Sequence, residues 1–314
     1  MRQLQLIPAN VNLSFIPKRM MFFAFSAFLV VASLGLVLSK GLNFGIDFQG
    51  GIMIEVRTKQ AADIGAMRKQ LSGLGLGEVA LQEFGAPTDV LIRVQRQEGG
   101  EEAQQAAVDK VKESLGDSVD YRRTEFVGPK VSEELLMDGV LAVGLAILAI
   151  LVYIWFRFEW QFGLGAVVAL THDVISTIGI FALMGFEFNL STVAAVLTIA
   201  GYSINDTVVV YDRVRENLRK FKKMPLGELL NNSVNQTLSR TVVTSLTTLL
   251  ALLALYFLGG AVIHDFAFAM IWGVVIGTYS SVCLAVPLLM YMNLNRAGMS
   301  AGGDTEEAAA ETAP

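Results

Sequence analysis

Asp206 is a carboxylate inside a long apolar run, within the stretch AGYSINDTVVVYDRVREN (200–217). An ionised carboxylate at the centre of a membrane helix costs about 2.5–3.5 kcal/mol on insertion scales, so such groups face a bundle interior or a wet cavity. Helical spacing puts Thr198, Gly201, Tyr202, Asn205 and Asp206 on one face. Asp206 stands seven residues before Arg213, about 10 Å along a helix from a basic cluster. Farther on, Arg240, Thr244 and Thr248 recur at every fourth position, flanked by Thr241, Ser245 and Thr247. That is a hydroxyl-lined stripe beginning at a cation. A carboxylate, an arginine and a row of hydroxyls are the parts of a proton relay. The carboxylate carries the proton, the arginine favours its charged form, and hydroxyls with water conduct.

Two blander readings stay open. Asp206 could simply join helices, and Arg240 could be only the last charge on the inner side of the membrane. His172 and Asp173 lie in another apolar run. Adjacent helical residues point about 100° apart, so they are not expected to share one partner. They either support the relay or are buried hydrogen-bonding residues. Gly273-x-x-x-Gly277, continued by Ser281, marks a close helix contact. No metal site is expected, because His172 and His264 fall on different runs near opposite depths. No phosphate loop, cofactor motif or nucleophile–base pair appears, which argues against an enzyme. Cys283 is the only cysteine, so no disulfide can form within the chain. The net charge of −5 and the lack of a strongly basic surface give no sign of nucleic acid.

Helices in a bilayer must position these groups. The chain has 314 residues, 53% hydrophobic and only 17% charged, too apolar for an ordinary soluble domain. The apolar runs predict a polytopic α-helical membrane protein with six transmembrane helices, over 20–39, 138–156, 162–184, 190–211, 241–259 and 266–293. The first reads as an uncleaved anchor, since no A-x-A-like site follows it. Residues 40–137 hold the charges that the runs lack. They read as one α+β ferredoxin-like (βαββαβ) domain between spans one and two. Its strands are expected at 51–58, 77–85, 90–96 and 118–127, its helices at 61–74 and 101–115, and a turn at Ala86-Pro87-Thr88-Asp89. The loop 212–240 carries Arg213, Arg215, Arg219, Lys220, Lys222, Lys223 and Arg240 against Asp212, Glu216 and Glu228. The positive-inside rule makes that loop cytoplasmic. Counting spans from it puts residues 1–19 and the C-terminus inside and the α+β domain outside. Residues 226–238 are expected to form a short amphipathic helix on the inner surface, and 296–314 a disordered cytoplasmic tail.

The stretch GLNFGIDFQGG (41–51) resembles the motif that follows the first span in SecD and SecF proteins. AGYSINDTVVVYDRVREN (200–217), LSRTVVTSLTTLL (238–250) and THDV (171–174) resemble the fourth, fifth and third spans of the SecF family. The chain up to about residue 295 fits that family in length, order and topology; the family belongs to the resistance-nodulation-division superfamily. The resemblance implies a multi-pass subunit of the bacterial cytoplasmic (inner) membrane that pairs obligately with SecD. It implies assistance to the SecYEG translocon, with YajC and YidC as accessory partners, in exporting unfolded secretory proteins. The implied energy source is the proton-motive force, with protons as coupling ion and no other cofactor. Asp206 and Arg240 would belong to the proton pathway, and the periplasmic domain would engage the emerging chain. A separate SecD would supply six further spans. Two alternatives remain: a half-transporter moving a small molecule or lipid, and a non-conducting scaffold of the translocon.

Overall fold

The computed structural model describes residues 12–292 and residue 294. The predicted tail 296–314 lies outside the described residues, as do the first eleven residues of the predicted N-terminal segment. Among the described residues, six helices are long and apolar enough to cross a bilayer. The first, α1 (Arg19–Lys40), has 22 residues, and at 1.5 Å each it rises about 33 Å, close to the hydrocarbon thickness. A short strand β1 (Asn43–Phe44) and one helical turn α2 (Ile46–Gln49) follow.

An α+β domain then runs β2 (Gly51–Thr58), α3 (Ile64–Ser72), β3 (Val79–Phe84), β4 (Ala86–Val94), α4 (Gly100–Leu115) and β5 (Val119–Val127). Its four strands lie in the order β3-β4-β2-β5, and every neighbouring pair is antiparallel. Alternation sends Ile52, Ile54, Val56, Val90, Ile92 and Val94 to one face, where they pack on Met67, Leu71, Val108 and Val111 of the two helices. The opposite face carries Met53, Glu55, Leu91 and Arg93. The turn between β3 and β4 sits at Gly85 (φ +80°). β4 therefore begins at Ala86, and the predicted turn at Ala86–Asp89 is strand instead. Sheet pairing continues to Arg57 opposite Asp89, and it outweighs the turn preference of the residues.

Two glycines start the sheet. Gly50 has φ +70° and Gly51 φ +120°, conformations that favour glycine. A Cβ on Gly51 would stand 2.8 Å from the Val94 carbonyl oxygen, and one on Gly50 3.2 Å from that of Val127. The chain thus enters β2 pinched between its two neighbours.

The remaining helices are α5 (Pro129–Arg157), α6 (Trp160–Met184), α7 (Leu190–Lys220), α8 (Leu226–Leu258) and α9 (Ala261–Ser280). Between α6 and α7 lies β6 (Glu187–Phe188), which pairs in parallel with β1. Asn189 caps α7 in a reciprocal box with Thr192. Several expected boundaries move outward. The second span starts at Pro129, not 138, because a proline-initiated helix carries on through its charged first turns. The predicted loop 212–240 is mostly helix: α7 runs on to Lys220, and α8 is continuous from Leu226. The expected amphipathic helix at 226–238 is not a separate helix but the first turns of α8. It buries Leu229, Leu230 and Val234 against Val214, Leu218 and Ile16. The Asn231 and Asn235 side chains accept from the backbone N–H groups of Phe15 and Leu13, at 2.9 and 2.8 Å. Hydropathy measures bilayer thickness; helical hydrogen bonding continues as long as side chains find partners.

The last span is not one α-helix over 266–293. After α9 comes a π-helical segment at Ser281–Ala285 and then α10 (Val286–Leu288). Pro287 has no N–H to give, and its ring crowds the carbonyl four residues back. The widened turn absorbs that clash. At the end of this segment the Ala285 carbonyl accepts from the buried Tyr211 hydroxyl at 3.2 Å.

Candidate functional site

Two buried acids stand on helices that cross in the middle of the bundle. Asp173 on α6 is fully buried, at 0% exposure. Its Oδ2 accepts from Ser203 Oγ of α7 at 2.5 Å and from Ser280 Oγ at the end of α9 at 2.7 Å. Its Oδ1 lies 2.9 Å from His172 Nδ1. The neighbours His172 and Asp173 meet each other, but apart from that contact they share no partner: Asp173 faces Ser203 and Ser280, and the His172 ring faces Tyr279. His172 Nε2 has no hydrogen-bond partner. The His172 ring lies 6.1 Å from that of Tyr279, whose hydroxyl donates to the Phe22 carbonyl of α1 at 2.8 Å.

Asp206 on α7 is also buried, at 3% exposure, but its surroundings are poorer. Its Oδ2 has no partner, and Thr278 is the hydroxyl that reaches the carboxylate. Thr278 in turn lies 2.7 Å from Ser245 of α8. Arg240 makes its charge felt at Asp206 without a direct ion pair, and its side chain is exposed. Thr241 has a buried hydroxyl with no partner.

Beside Asp173, further hydroxyls join α7 to the segment that follows α9. Thr207 Oγ1 meets Ser281 Oγ at 2.8 Å, and Ser281 Oγ also donates to the Ser203 carbonyl at 3.3 Å. The hydroxyl of the same Ser203 donates to Asp173, while the hydroxyl that reaches Asp206, that of Thr278, leads to Ser245 of α8 instead. The π-helical turn at Ser281–Ala285 follows Ser280 directly, so the widening begins between the last residue of α9, Ser280, and Ser281.

Other predicted residues fall elsewhere. The expected single face of α7 divides. Asp206 belongs with Ser203 and Thr207 on the buried side, while Thr198, Gly201 and Asn205 are exposed and Tyr202 is half-buried. The Tyr202 hydroxyl donates to Thr248 Oγ1 at 3.4 Å, and Thr244 donates to its own helix at the Arg240 carbonyl. On α8 the inward groups are Thr241 and Ser245, and the Arg240–Thr244–Thr248 stripe lies toward the open side. Gly273 and Gly277 stand where α9 crosses α7. A Cβ on Gly273 would strike Ile199, and one on Gly277 would come 3.0 Å from Ser203 Cβ. Ser203, Ser280, Thr207 and Thr278 were not singled out from the sequence. The available signal was Pro287 inside an apolar run, which marks a distorted helix facing polar partners. Among the described residues, no three His, Cys, Asp or Glu side chains converge as metal ligands.

Comparison with known proteins fits this architecture. The family model described as protein export membrane protein SecD/SecF, C-terminal, matches residues 107–295, and that of the SecD/SecF GG motif matches residues 35–62. The protein translocase subunit SecF of Cereibacter sphaeroides is 48% identical over 305 residues, covering 94% of both chains. The chain belongs to the SecF family. The SecF subunit of Rickettsia rickettsii is 46% identical over 295 residues, with 92% of this chain and 95% of that one covered. Among solved structures, SecDF from Thermus thermophilus, a translocon-associated membrane protein, matches with a TM-score of 0.83 at 37% identity over 91% of this chain. SecDF in a super-membrane-facing form matches with a TM-score of 0.67 at 34% identity over 98%. The chain spans only 39% and 41% of those two SecDF chains. Within the family's GG motif, Gly50 and Gly51 are the positive-φ pair that opens β2.

Proposed function

We propose that this SecF-family chain is a subunit of a proton-driven complex that assists Sec-dependent protein translocation across the bacterial inner membrane. It is a transport subunit, not an enzyme. The observation that carries the proton role is Asp206, a buried carboxylate with one unpartnered oxygen on α7. Next to it, α7 and α8 leave Asn205, Arg240 and Thr247 exposed on otherwise apolar helices. Polar groups on a bare membrane face need a cover, and SecD is the cover proposed, since the solved neighbours carry more than twice this length in one chain. SecYEG, with YajC and YidC as accessories, would be the machinery served, and an unfolded secretory chain the cargo.

The strand order β3-β4-β2-β5 with both helices on one face supports reading the outer domain as ferredoxin-like. The basic residues at the far end of α7 support placing that domain outside and both termini in the cytoplasm. In the cycle, a proton from outside neutralises Asp206 and removes its attraction to Arg240. The helices repack against SecD, and release of the proton to the cytoplasm restores the charge. Tyr202, Asn205, Thr244 and Thr248 line the approach; His172 and Asp173 hold α6, α7 and α9 in register beside it. One charge crossing 100 mV supplies about 2.3 kcal/mol, enough to invert a two-state bias of about 1–2 kcal/mol.

The test is proton-dependent precursor export in membrane vesicles containing this chain and SecD, with Asp206→Asn and Arg240→Met. Both changes are expected to abolish the proton-dependent part while the complex still assembles. Unchanged export would make Asp206 a helix-joining residue and the chain a scaffold.

A further inference from the structure

The outer domain touches the bundle through a narrow polar joint. Arg93 projects from the open face of β4. Its guanidinium donates to Asn43 Oδ1 of β1 at 2.9 Å and forms an ion pair with Glu187 of β6. Asn43 and Glu187 are register partners in the small parallel pairing of β1 with β6. One arginine therefore staples the sheet domain to two segments that leave the membrane separately, one after α1 and one after α6. Beside it, the Leu190 N–H at the start of α7 donates to Asp47 Oδ2 at 2.9 Å. Gly45 lets the segments close: a Cβ there would collide with the Glu187 carboxylate.

Open space flanks this joint on both sides. A groove of about 610 Å³ lies between residues 42–50 and the strands β3 and β4, with Arg93 in its wall. A second cavity of about 130 Å³ lies between the sheet and the starts of α7 and α9, with Glu187 in its wall. Ile46 borders both. The ion pair is thus a post standing in a cleft, with room for water on either side.

We propose that Arg93, Glu187 and Asn43 form a releasable strut that sets the angle of the outer domain on the membrane bundle. A second arginine–carboxylate pair on the same sheet face shows the contrast. Arg57 and Asp89 pair at 2.5 Å inside the domain, and the hydrogen bond from Arg57 holds the Asp89 carboxyl below its usual range. Glu187 is shifted the other way. Burial pushes its pKa up against the pull of Arg93, and the carboxylates of Asp47 and Asp265 add to the rise. The internal pair favours its charges; the strut pair is opposed by its surroundings. A pair whose attraction works against desolvation and has open space on both sides can part with water taking the place of each partner. Arg93 and Glu187 are positioning residues in this role, and the strut stands whether or not Asp206 carries protons.

The experiment measures the distance across the joint by pulsed electron paramagnetic resonance. Spin labels go on Glu102→Cys of α4 and Met184→Cys of α6, both exposed, in a Cys283→Ala background. The complex with SecD sits in nanodiscs without a proton gradient. The unaltered joint is expected to give one narrow distance peak. Arg93→Ala and Glu187→Ala should each replace it with a broad distribution reaching longer distances. The charge-swapped pair, Arg93→Glu with Glu187→Arg, should recover the narrow peak, which a merely misfolded domain could not do. Unchanged distributions in both single variants would overturn the strut. So would single variants that broaden while the swap stays broad, since volume and not charge would then hold the joint. The readout involves neither export nor proton flow, so it separates failure of the strut from failure of the relay.

Discussion

Asp173 and Asp206 are both buried carboxylates, yet their surroundings differ. Asp173 has a donor or ring nitrogen at each oxygen: Ser203 and Ser280 on one, His172 on the other. Those contacts come from its own helix α6, from α7 and from the end of α9. A buried polar group satisfied from several helices fixes their positions relative to each other. Asp206 keeps an oxygen without a partner, a distant arginine and an open side on α7 and α8. An unsatisfied buried acceptor costs free energy, and such groups persist in proteins where the deficit is used. Under the proposed function, the difference would separate an acid that holds the bundle together from one that changes its charge.

The comparison can be broken most directly at Asp173. Asp173→Ala leaves two serines and a histidine without their acceptor, and should cost about 3 kcal/mol of membrane-domain stability. The measurement is thermal unfolding of the purified complex with SecD in nanodiscs; an unchanged midpoint would mean that the cradle fixes nothing. Asp206→Asn in the same assay should cost under about 1 kcal/mol, because it removes a charge whose oxygen lacks a partner. A large loss there would erase the distinction between the two acids.

Smaller changes sharpen it. Gly277→Leu would press on Ser203, a donor to Asp173, and should lower stability by about 1–3 kcal/mol through overpacking. Gly144→Leu, on α5 where nothing stands within 4 Å of a Cβ, should leave the midpoint where it was. Equal effects at both glycines would argue that helix propensity and not the crossing matters. The smallest effect lies outside the membrane, where Asp89 is the satisfied carboxylate of the domain. Its folded pKa is depressed by Arg57, so its contribution is present above the ordinary aspartate value of about 3.9 and is lost as pH falls through the folded value. Acid unfolding of the outer domain should show that loss, and Asp89→Asn should remove it. The exposed half of the pair keeps the effect small.

Much of the architecture was legible in local pattern. The six apolar runs became six helices, because hydropathy over about twenty residues is a property of neighbours in sequence. The strands at 51–58 and 118–127 followed from alternation and β-branched residues, and β2 and β5 fall at those places. Asp206 stood out because a charge in an apolar run is conspicuous without any partner in view. Boundaries were less legible. Nothing in hydropathy says that α8 continues unbroken through Leu229 and Leu230, since the leucines that bury there read equally well as a surface helix.

What composition and periodicity determined alone is therefore the membrane-spanning class, the place of the α+β domain along the chain and the presence of a costly carboxylate at Asp206. What only the tertiary structure decided is which polar groups meet. Ser203 and Ser280 lie 30 and 107 residues from the acid they serve. Arg93 lies 94 residues from Glu187. Those meetings depend on how helices cross and on the turn that Pro287 widens. A hydroxyl or an arginine shows no sign, in its own neighbourhood of sequence, of which distant partner packing will bring within 3 Å.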